Sequence, residues 1–485
     1  MAGGRFCYDS VDRVPGIIDD ICCSFWYREQ YEWIVYFSVC ICHYNINDID
    51  IYRVKAKSKN THINSRAKHN GKENTGVRKH GAGKKLKKLV QINTVCNTST
   101  GKLMGDIQRK ANESGWETLS VVGRRKPFMD LRCIKIGNGL SFWIHVVINT
   151  IFDRQGYGSY FVTQKIIRKL RQECPDIIHL HNLHGYYINL SLLFRYLSKE
   201  YNGKIFWTFH DCWPFTGHCA YFTAAKCGKW ERECGKCPNK RVYPISLLAD
   251  ASRKNYADKK RMFTELKNLT IIVPSKWMES MVKKSFFQDY PVRIVNNGID
   301  LKVFSYRKPL DELYHKYGIS REKKVVLGVA NAWDARKGLP DFLALSKKLP
   351  SEYQIFLVGL TARQIGGLPQ NVKGIKRTEE MGELVMIYSL AHIFVNPSVE
   401  ESFSLVTVEA IACGTPVIVL DTSAVKELVS DENGIVLKKH DAADYLDAIR
   451  LLEERRLSKE QVSQTAKKYD VDRYAKKIVD LYSDM

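Results

Sequence analysis

The chain has 485 residues, of which 45% are hydrophobic and 11% aromatic, so it is long enough for two or three globular domains with sizeable cores. Its formal net charge of +23 admits nucleic acid or an anionic membrane surface as a partner, but no apolar run approaches the roughly 20 residues that a membrane-spanning helix needs. The N-terminus lacks the basic start and apolar core of a secretory signal peptide, so a cytoplasmic location is expected.

Residues 1–87 differ in composition from the rest of the chain. The first fifty are rich in Cys and Tyr without a helical or strand period. Between Arg53 and Lys88 there are 13 Lys or Arg residues and one acid, Glu73, which gives this stretch a net charge of 13 − 1 = +12. A basic run without apolar periodicity predicts a disordered linker, with a nucleic-acid-binding tail as the alternative. We assign no chemistry to residues 1–87.

From Leu89 onwards, apolar strand segments alternate with helical segments, a pattern typical of a parallel α/β sheet. Small residues, among them Gly101, fill the segment 97–105 after the first strand, where we predict a loop whose backbone can approach a ligand closely. A helix is expected to follow this loop and to end near Ser114. The strands predicted before residue 300 are 89–95, 118–122, 176–181, 204–210 and 270–275, and two further helices are predicted over 159–172 and 188–199.

Histidines follow two of these strands. His210 and Asp211 end the strand 204–210, and His181 and His184 lie at the end of the strand 176–181. Ligands of doubly wound sheets bind at the carboxyl ends of the strands, and an imidazole placed there can bind a sugar hydroxyl or a phosphate. The alternative for each histidine is a packed residue of the core.

Four cysteines lie close together in the chain, in the pattern C-x7-C-x6-C-x2-C. In a reducing cytosol, four thiols at such short spacing favour a structural Zn²⁺ over disulfides. Since the spacing is irregular, inert free thiols remain the alternative. The candidate ligands are Cys219, Cys227, Cys234 and Cys237.

A second alternating set of strands and helices begins near residue 323. Its first strand is followed by NAWDARKG, residues 331–338, in which Lys337 can supply a positive charge to an anionic ligand. The alternative is an ordinary basic start of a helix. A last helix is predicted over about 471–482. The strands predicted in this set are 323–330, 353–359, 392–398, 416–420 and 434–437.

The segment 396–416, NPSVEESFSLVTVEAIACGTP, contains Glu401 and Glu409 eight positions apart. A buried strand leads into a loop, and a helix then opens at Ser404 and stops before Pro416. Backbone N–H groups at the start of a helix suit a phosphate or a sugar diphosphate. Because carboxylates would repel phosphate, the two Glu side chains suit the hydroxyl groups of a sugar and a ribose. The alternative is a capped surface helix with incidental acids.

This segment resembles the E-x7-E motif of the retaining family 4 glycosyltransferases, and VNNGIDLKVF (295–304) resembles the hinge between their two domains. The resemblance runs from Leu89 to the C-terminus. It implies the α/β GT-B architecture, in which two Rossmann-like, doubly wound domains face each other across a cleft. The implied parts are a first domain over 88–300 with a Cys-rich insertion at 212–238, a donor-binding domain over 301–465, and a C-terminal helix in 466–485 that packs back on the first domain.

The resemblance also implies roles for residues of the motif. Glu401 would contact the donor sugar and Glu409 the nucleotide ribose, while the amides around Phe403, Ser404 and Leu405 would bind the diphosphate. The family usually has Gly on both sides of the Phe, whereas this chain has Ser402 and Ser404. The amide contacts remain available, but the sugar pocket becomes harder to predict.

Further roles follow from the same resemblance. His210 would lie near the donor sugar, the Gly101 loop would close over the diphosphate, and Lys337 would bind that diphosphate. Asn331 stands where the family has an Arg, and Arg336 is the candidate to compensate. His181 and His184 would be structural or acceptor-side residues. The Cys-rich insertion resembles that of bacterial colanic-acid and exopolysaccharide glycosyltransferases.

The implied activity is a hexosyltransferase that moves a hexose, with retention, from a nucleotide diphosphate sugar to a lipid-linked surface polysaccharide precursor. The expected catalytic residues are His210, Glu401 and Lys337. No Asp-x-Asp element lies near the donor loop, so no catalytic metal is expected, and the enzyme would work in the cytoplasm or peripherally at the inner membrane face. The alternatives are a nucleotide-sugar epimerase or glycan phosphorylase on the same fold, and a nucleic-acid-binding protein acting through residues 53–88.

Overall fold

The computed structural model describes residues 86–125 and 130–484. The predictions for residues 1–85, which include most of the basic run, lie outside the described residues. The described part forms two parallel β-sheets, one of seven strands and one of six, with helices between most consecutive strands. The predicted succession of two doubly wound α/β sheets is therefore confirmed.

The first sheet has the strand order β3-β2-β1-β4-β5-β6-β7. The chain adds strands on one side of β1 and then returns to add β4 on the other side, so the carboxyl ends of β1 and β4 form the crevice in which such sheets bind ligands. The strands are β1 (Lys88–Asn93), β2 (Glu117–Val122), β3 (Cys133–Lys135), β4 (Ile177–Leu180), β5 (Lys204–Thr208), β6 (Leu269–Val273) and β7 (Val292–Ile294).

Six helices accompany the first sheet. Their apolar faces bury a core in which Trp207 of β5 packs edge-on against Phe263 and at a tilt against Phe194 of the covering helices. Aromatic pairs of this kind contribute about 0.5–1.5 kcal/mol beyond the area that they bury. The helices are α1 (Ser99–Glu113), α2 (Gly139–Phe152), α3 (Tyr160–Glu173), α4 (Leu190–Lys199), α5 (Ser252–Thr264) and α6 (Lys276–Lys284).

The second sheet repeats this plan, with the order β10-β9-β8-β11-β12-β13 and its crevice between β8 and β11. The strands are β8 (Lys324–Val329), β9 (Tyr353–Val358), β10 (Val372–Ile375), β11 (Ile393–Asn396), β12 (Val417–Leu420) and β13 (Gly434–Leu437). The helices after β7 are α7 (Asp311–Tyr317), α8 (Leu339–Ser346), α9 (Ala362–Gly366), α10 (Met381–Leu390), α11 (Leu405–Ala412), α12 (Ala442–Arg455), α13 (Lys459–Gln464) and α14 (Val471–Ser483).

Two segments of the chain join the sheets, and they are hydrogen-bonded to each other. The N–H of Ile299 donates to the carbonyl of Tyr469 at 2.9 Å, and the N–H of Val471 donates to the carbonyl of Ile299 at 2.9 Å. A Cβ on Gly298 would lie 2.7 Å from the Cα of Val471, so only glycine permits this approach. The segment that resembles the family hinge therefore pairs with the return segment.

The last helix, α14, packs on the first sheet although it follows the second. Ile478 and Tyr482 share a buried cluster with Leu89 and Ile107. The hydroxyl of Tyr482 lies 2.5 Å from Nδ1 of the buried His179 on β4, which ties the C-terminal helix to the sheet through a polar contact as well.

The predicted loop over residues 97–105 is wrong, because α1 already begins at Ser99. Gly101 lies in the first turn of this helix, where a Cβ would come within 2.2 Å of the carbonyl carbon of Cys96. The glycine is thus required by the tight entry of the chain into the helix rather than by a mobile loop. Short strands such as β3 and β7, with three residues each, were not predicted because a period of two cannot be recognised over so few positions.

Candidate active site between the two sheets

A lysine–glutamate pair lies at the carboxyl edge of the second sheet. The ammonium of Lys337, in a single 3-10 turn after β8, donates to Oε1 of Glu401 in the loop after β11. The two side chains are only 19% and 13% exposed. Burial alone would raise the pKa of Glu401, but the charges of Lys337 and Arg336 outweigh it and hold that pKa below its usual value. Glu401 is therefore ionised at neutral pH.

A glycine fixes the position of this lysine. Gly338 has φ +76°, and a Cβ there would lie 2.5 Å from Cγ of Pro397. Lys337 therefore ends a short turn and precedes a glycine that packs directly on Pro397, just after β11. The Lys-Gly pair is needed for geometry as well as charge.

The loop that carries Glu401 is held at both ends by polar side chains. The amide of Asn396 donates to the hydroxyls of Ser404 and Thr407, each at 2.9 Å. The N–H of Glu401 donates to Oγ of Ser423 at 2.9 Å. These bonds fix the carboxylate before any ligand arrives, as electrostatic stabilisation requires.

The residues predicted to bind a diphosphate have different environments. Phe403 is 2% exposed and packs against Tyr469, so its side chain belongs to the core. Ser404 has φ 90°, a left-handed conformation that costs a non-glycine residue about 1–2 kcal/mol. Helix α11 begins at Leu405, so the N–H groups of its first turn face the same loop as Glu401.

Glu409 lies inside α11 and accepts a hydrogen bond from the hydroxyl of Tyr388 at 2.8 Å. Burial raises the pKa of Glu409, and the Tyr388 hydroxyl and the Lys102 ammonium oppose that rise. Lys102 belongs to α1 of the first domain, so Glu409 lies within electrostatic reach of the opposite sheet. Lys102 was not predicted as a site residue, because no local pattern in the sequence indicates its approach to Glu409.

His210 belongs to a buried cluster of imidazoles at the carboxyl edge of the first sheet. Its Nε2 lies 3.1 Å from Nδ1 of His181, whose Nε2 lies 3.1 Å from the side-chain oxygen of Gln91. Burial lowers the pKa of His210 to about 4, although the Asp211 carboxylate raises it in part. His210 is therefore neutral near pH 7 and acts as a hydrogen-bonding group rather than as a cation.

His184 forms a separate polar group beside this cluster. Its Nε2 lies 2.8 Å from the carboxylate of Asp211, and its Nδ1 lies 2.8 Å from the hydroxyl of Tyr243. Burial acts to raise the pKa of Asp211, but the His184 charge and hydrogen bond more than offset it and leave that pKa lowered. His184 thus contacts the second position of the His-Asp pair, and His181 the first.

A serine joins the two groups of predicted catalytic residues. Oγ of Ser402 donates to the carbonyl oxygen of His210 at 2.7 Å. Ser402 is next to Glu401, so the Lys337–Glu401 pair and His210 lie on opposite sides of one interdomain contact. Glycine, which the family usually has at this position, could not form this bond.

A second interdomain contact involves Glu400, which the sequence analysis missed. Its carboxylate accepts hydrogen bonds from the N–H groups of Phe222 and Thr223 at 2.8 and 2.7 Å. Glu400 is 1% exposed, and burial raises its pKa. Both amides belong to the Cys-rich insertion, so the insertion is bound directly to the loop that carries Glu401. The sequence has two adjacent glutamates, Glu400 and Glu401, but only Glu401 has the E-x7-E spacing to Glu409, so Glu400 was not identified.

Arg336 and Asn331 have separate positions. The Arg336 guanidinium stacks 4.1 Å from the ring centroid of Tyr221 in the insertion and donates to the carbonyl of Glu400 at 3.0 Å. Asn331 is exposed to solvent. Arg336 therefore borders the site from the interdomain side, which the sequence could not have shown.

The four predicted zinc ligands line one cavity of about 10 Å³ together with His218. The hydrogen bond from the Cys219 thiol lowers the pKa of Cys237 to about 7. Nevertheless, across residues 86–125 and 130–484 no group of three or more His, Cys, Asp or Glu side chains is arranged to hold a metal ion. The arrangement of the four thiols thus lends the zinc hypothesis no support, and zinc binding stays a prediction.

Two family models match adjoining parts of the chain. The model described as Glycosyltransferase Family 4 matches residues 123–303, and the model described as Glycosyl transferases group 1 matches residues 311–469. The chain belongs to the glycosyltransferases. The Lys337–Glu401 pair lies in the part matched by the group 1 model, and His210 lies in the part matched by the family 4 model.

Relatives of this glycosyltransferase agree with the models. A putative colanic acid biosynthesis glycosyl transferase of Escherichia coli, WcaC, is 25% identical over 299 residues, which are 60% of this chain and 70% of WcaC. A D-inositol 3-phosphate glycosyltransferase of Mycolicibacterium smegmatis is 29% identical over 174 residues, which are 33% of this chain and 39% of that protein. The predicted resemblance to colanic-acid glycosyltransferases is confirmed.

Solved structures share the fold. Sucrose-phosphate synthase of Thermosynechococcus elongatus superposes with a TM-score of 0.62 at 18% identity, over 82% of this chain and 98% of that chain. Anabaena HepE, solved in complex with UDP-glucose, superposes with a TM-score of 0.57 at 14% identity, over 82% of this chain and all of that chain. The predicted GT-B fold of two Rossmann-like domains is confirmed.

Proposed function

We propose that this glycosyltransferase moves a hexose, with retention of configuration, from a nucleotide diphosphate sugar to a lipid-linked surface polysaccharide precursor. The similarity to WcaC supports the polysaccharide, because WcaC is described as a colanic acid biosynthesis enzyme. The fold shared with HepE, which was solved with UDP-glucose, supports a nucleotide sugar as donor. We further propose that the enzyme works in the cytoplasm, at the inner face of the membrane.

One observation carries this proposal: a partly buried ion pair, Lys337–Glu401, lies beside an interdomain hydrogen bond to the carbonyl of His210. A sugar diphosphate needs a cation for its leaving group and hydrogen-bond acceptors for its hydroxyls, and this site offers both within one loop system. When the donor arrives, the Lys337 ammonium turns from Glu401 to the diphosphate. The carboxylate then accepts a hydrogen bond from a sugar hydroxyl.

The remaining groups position the donor and the acceptor. The first-turn N–H groups of α11 bind the diphosphate, and Glu409 accepts a hydrogen bond from the ribose. Neutral His210 binds a hydroxyl of the sugar. The bond from the anomeric carbon to the leaving phosphate oxygen breaks as the bond to the acceptor oxygen forms on the same face. The acceptor proton passes to the departing phosphate, so the protein mainly positions the reactants and stabilises developing charge.

Donor binding is the first test. Thermal shift of the full chain would be measured with UDP, GDP, ADP and dTDP and with their sugars, since a ligand that binds the native state raises the unfolding temperature. We expect one nucleotide to stabilise the wild type and to stabilise Lys337→Met much less. No shift with any nucleotide would overturn the proposal.

The reaction is tested separately by product analysis. With the stabilising donor and an undecaprenyl diphosphate-linked sugar acceptor, we expect a new α- or β-glycosidic bond with the same anomeric configuration as the donor, detected by NMR. Formation of an epimer of the donor in the absence of any acceptor would instead identify an epimerase. Release of a sugar phosphate from a glycan with inorganic phosphate would identify a phosphorylase.

A further inference from the structure

Helix α2 of the first domain buries two polar side chains and exposes four large apolar ones. The buried side chains of the helix are His145 and Asn149. His145 lies 2.9 Å from Oγ of Ser159 through Nδ1 and accepts from the N–H of Gly156 through Nε2 at 3.0 Å. The amide of Asn149 donates to the carbonyl of Ile245 at 2.9 Å. These hydrogen bonds hold His145 and Asn149 against the body of the first domain, so the opposite, apolar side of α2 faces solvent.

The outward side of α2 continues into neighbouring segments. Ser141 and Ser159 are hydrogen-bonded, which places the start of α3 beside the start of α2. The N–H of Leu247 donates to the carbonyl of Thr150, which places the 247–248 segment beside the end of α2. The large exposed side chains of this surface, here called the apolar face, are Leu140 (74% exposed), Trp143 (46%), Ile144 (50%), Phe152 (56%), Phe161 (75%) and Leu248 (72%).

Large contiguous apolar surfaces on a protein indicate an interaction site, whereas single exposed apolar residues do not. Helix α2 has 14 residues and none of them is Asp, Glu, Lys or Arg. In the described ranges 86–125 and 130–484, no helix combines the length and apolarity needed to cross a bilayer. A helix of this kind can lie in the plane of a membrane surface but cannot span it.

The charge around the apolar face identifies its partner. Residues 139–173, which span α2 and α3, contain five Lys or Arg residues and two acids, Asp153 and Glu173. Three of these cations are paired with acids, Arg154 with Asp258, Lys169 with Glu173 and Arg171 with Glu200, so the net basic charge of this surface rests on Lys165 and Arg168. Asp153 is buried against His218, 2.5 Å from its Nδ1, so it does not offset the surface charge. Lys165 and Arg168 are exposed and follow Phe161 by four and seven positions, on the same side of α3. Lys240 donates to the carbonyl of Leu248 at 3.1 Å.

We infer that the apolar face is a docking surface for a bilayer that contains anionic phospholipid. The apolar side chains enter the region between headgroups and acyl chains, and the surrounding lysines and arginines bind the phosphates. A surface for a second copy of this chain would not need this one-sided charge, because the same basic residues would meet each other across a twofold axis.

The position of the face fits the proposed function, on which this part of the inference rests. Phe142 of α2 packs edge-on against Tyr186, and Tyr186 packs edge-on against Tyr243. The hydroxyl of Tyr243 bonds His184, which in turn bonds Asp211 next to His210. A lipid-linked acceptor whose lipid stays in the bilayer would therefore reach the site along this side of the first domain.

The test is co-sedimentation of the full chain with vesicles of phosphatidylcholine alone or mixed with phosphatidylglycerol. The measurements are made at moderate salt, and the basic stretch 53–88 is present in every variant, so a difference between variants reports the apolar face. The test variant combines Trp143→Ser, Phe161→Ser and Leu248→Ser. The control variant combines serine substitutions of exposed apolar residues in the second domain, at Leu310, Leu451 and Met381.

We expect the wild type and the control to bind the anionic vesicles and the test variant to bind at least about tenfold more weakly, since insertion strength follows the apolar area buried. Binding of the test variant equal to that of the wild type would overturn the inference, as would wild type that binds neither vesicle. A wild-type dimer that the test substitutions dissociate, measured by light scattering, would also overturn it and identify a self-association surface.

Nucleotide thermal shifts separate this inference from the proposed function. We expect the test variant to keep the wild-type shift, because none of its three substitutions lies in the donor site. Intact nucleotide binding without vesicle binding would reject the docking surface alone. Vesicle binding without any nucleotide binding would leave the docking surface supported and reject the glycosyl transfer.

Discussion

The carboxylate of Glu400 accepts a hydrogen bond from the N–H of Phe222 at 2.8 Å, although 178 residues separate the two in the chain. Glu400 belongs to the second domain, and Phe222 belongs to the Cys-rich insertion of the first domain. The contact places the insertion beside the loop of Glu401 and closes one end of the cleft. A change at Glu400 therefore tests whether the insertion is coupled to the donor site.

Replacement of Glu400 by Ala should destabilise the protein, because the buried amides of Phe222 and Thr223 lose their acceptor. Each unsatisfied group costs about 1–3 kcal/mol. Urea unfolding should show a lower free energy of unfolding for Glu400→Ala, whereas Glu400→Gln, which keeps an acceptor oxygen, should retain most of it. Alanine at the exposed Glu432 serves as the control. Equal stability of Glu400→Ala and wild type would contradict this prediction.

Removal of the Lys337 charge should slow transfer by about a hundredfold to a thousandfold, the usual effect of losing one group that stabilises developing negative charge. The reason is that the leaving diphosphate would lose its cation. Steady-state rates of Lys337→Met would be compared with those of Lys347→Met, an exposed lysine. Glu401→Gln should lose activity as well, and a combined variant should lose less than the product of the two effects, because the residues contact each other. Wild-type turnover by Glu401→Gln would exclude a role for that carboxylate.

Ser404 has a strained backbone and a side chain that forms hydrogen bonds, so its replacement by alanine and by glycine should change the unfolding temperature to different extents. Ser404→Ala keeps the φ of 90° and loses the hydrogen bonds to Asn396 and Thr407. Ser404→Gly loses the same bonds but relieves about 1–2 kcal/mol of left-handed strain. Glycine should therefore give the higher unfolding temperature, the reverse of the order in an ordinary helix. Calorimetry that ranks alanine above glycine would show that the strain is absent.

Stability should fall as the pH falls below about 6.5. Burial lowers the pKa of His145 and His210 to about 4 and that of His179 to about 3. Since the folded pKa values lie below the unfolded one, the unfolded chain binds protons that the folded chain does not. Each such histidine contributes a slope of about 1.4 kcal/mol per pH unit below its unfolded pKa.

Urea unfolding between about pH 5.5 and 6.5 measures this slope. The window avoids more acidic solutions, where Glu400 and Glu409, whose pKa values burial raises, act in the opposite direction. A free energy of unfolding that stays constant or rises on acidification across this window would contradict the assignment of neutral, buried imidazoles.

Strand and helix periodicity predicted most of the fold, because long apolar strands such as β1 and amphipathic helices such as α14 have clear periods. It missed α2, in which the buried side chains are the polar His145 and Asn149 and several large apolar side chains face solvent, so the usual relation between hydrophobicity and burial does not hold. It also failed at residues 97–105, where small residues suggested a loop but allow tight packing of a helix start.

Sequence patterns identified only some of the residues of the candidate site. The spacing of Glu401 and Glu409 and the Lys-Gly pair identified residues that the structure places in the loop after β11, in α11 and in the turn after β8. Glu400 was not found, because its partners are backbone amides 177 and 178 residues away and no local pattern encodes them. Lys102 was missed for the same reason, since its approach to Glu409 depends on how the two domains meet.

The hydrogen bonds of Ile299 to Tyr469 and Val471 hold the two segments that join the domains side by side. Two covalent connections lie side by side there, so relative rotation of the lobes must occur about a line through that pair. Helix α14 packs on the first sheet, so the residues after it move with the first domain. A fluorophore attached after Ser483 and one on the lobe of β8–β13 would report opening of the crevice as a change in energy transfer. Deletion of α14 would instead expose the apolar cluster around Leu89 and Ile107.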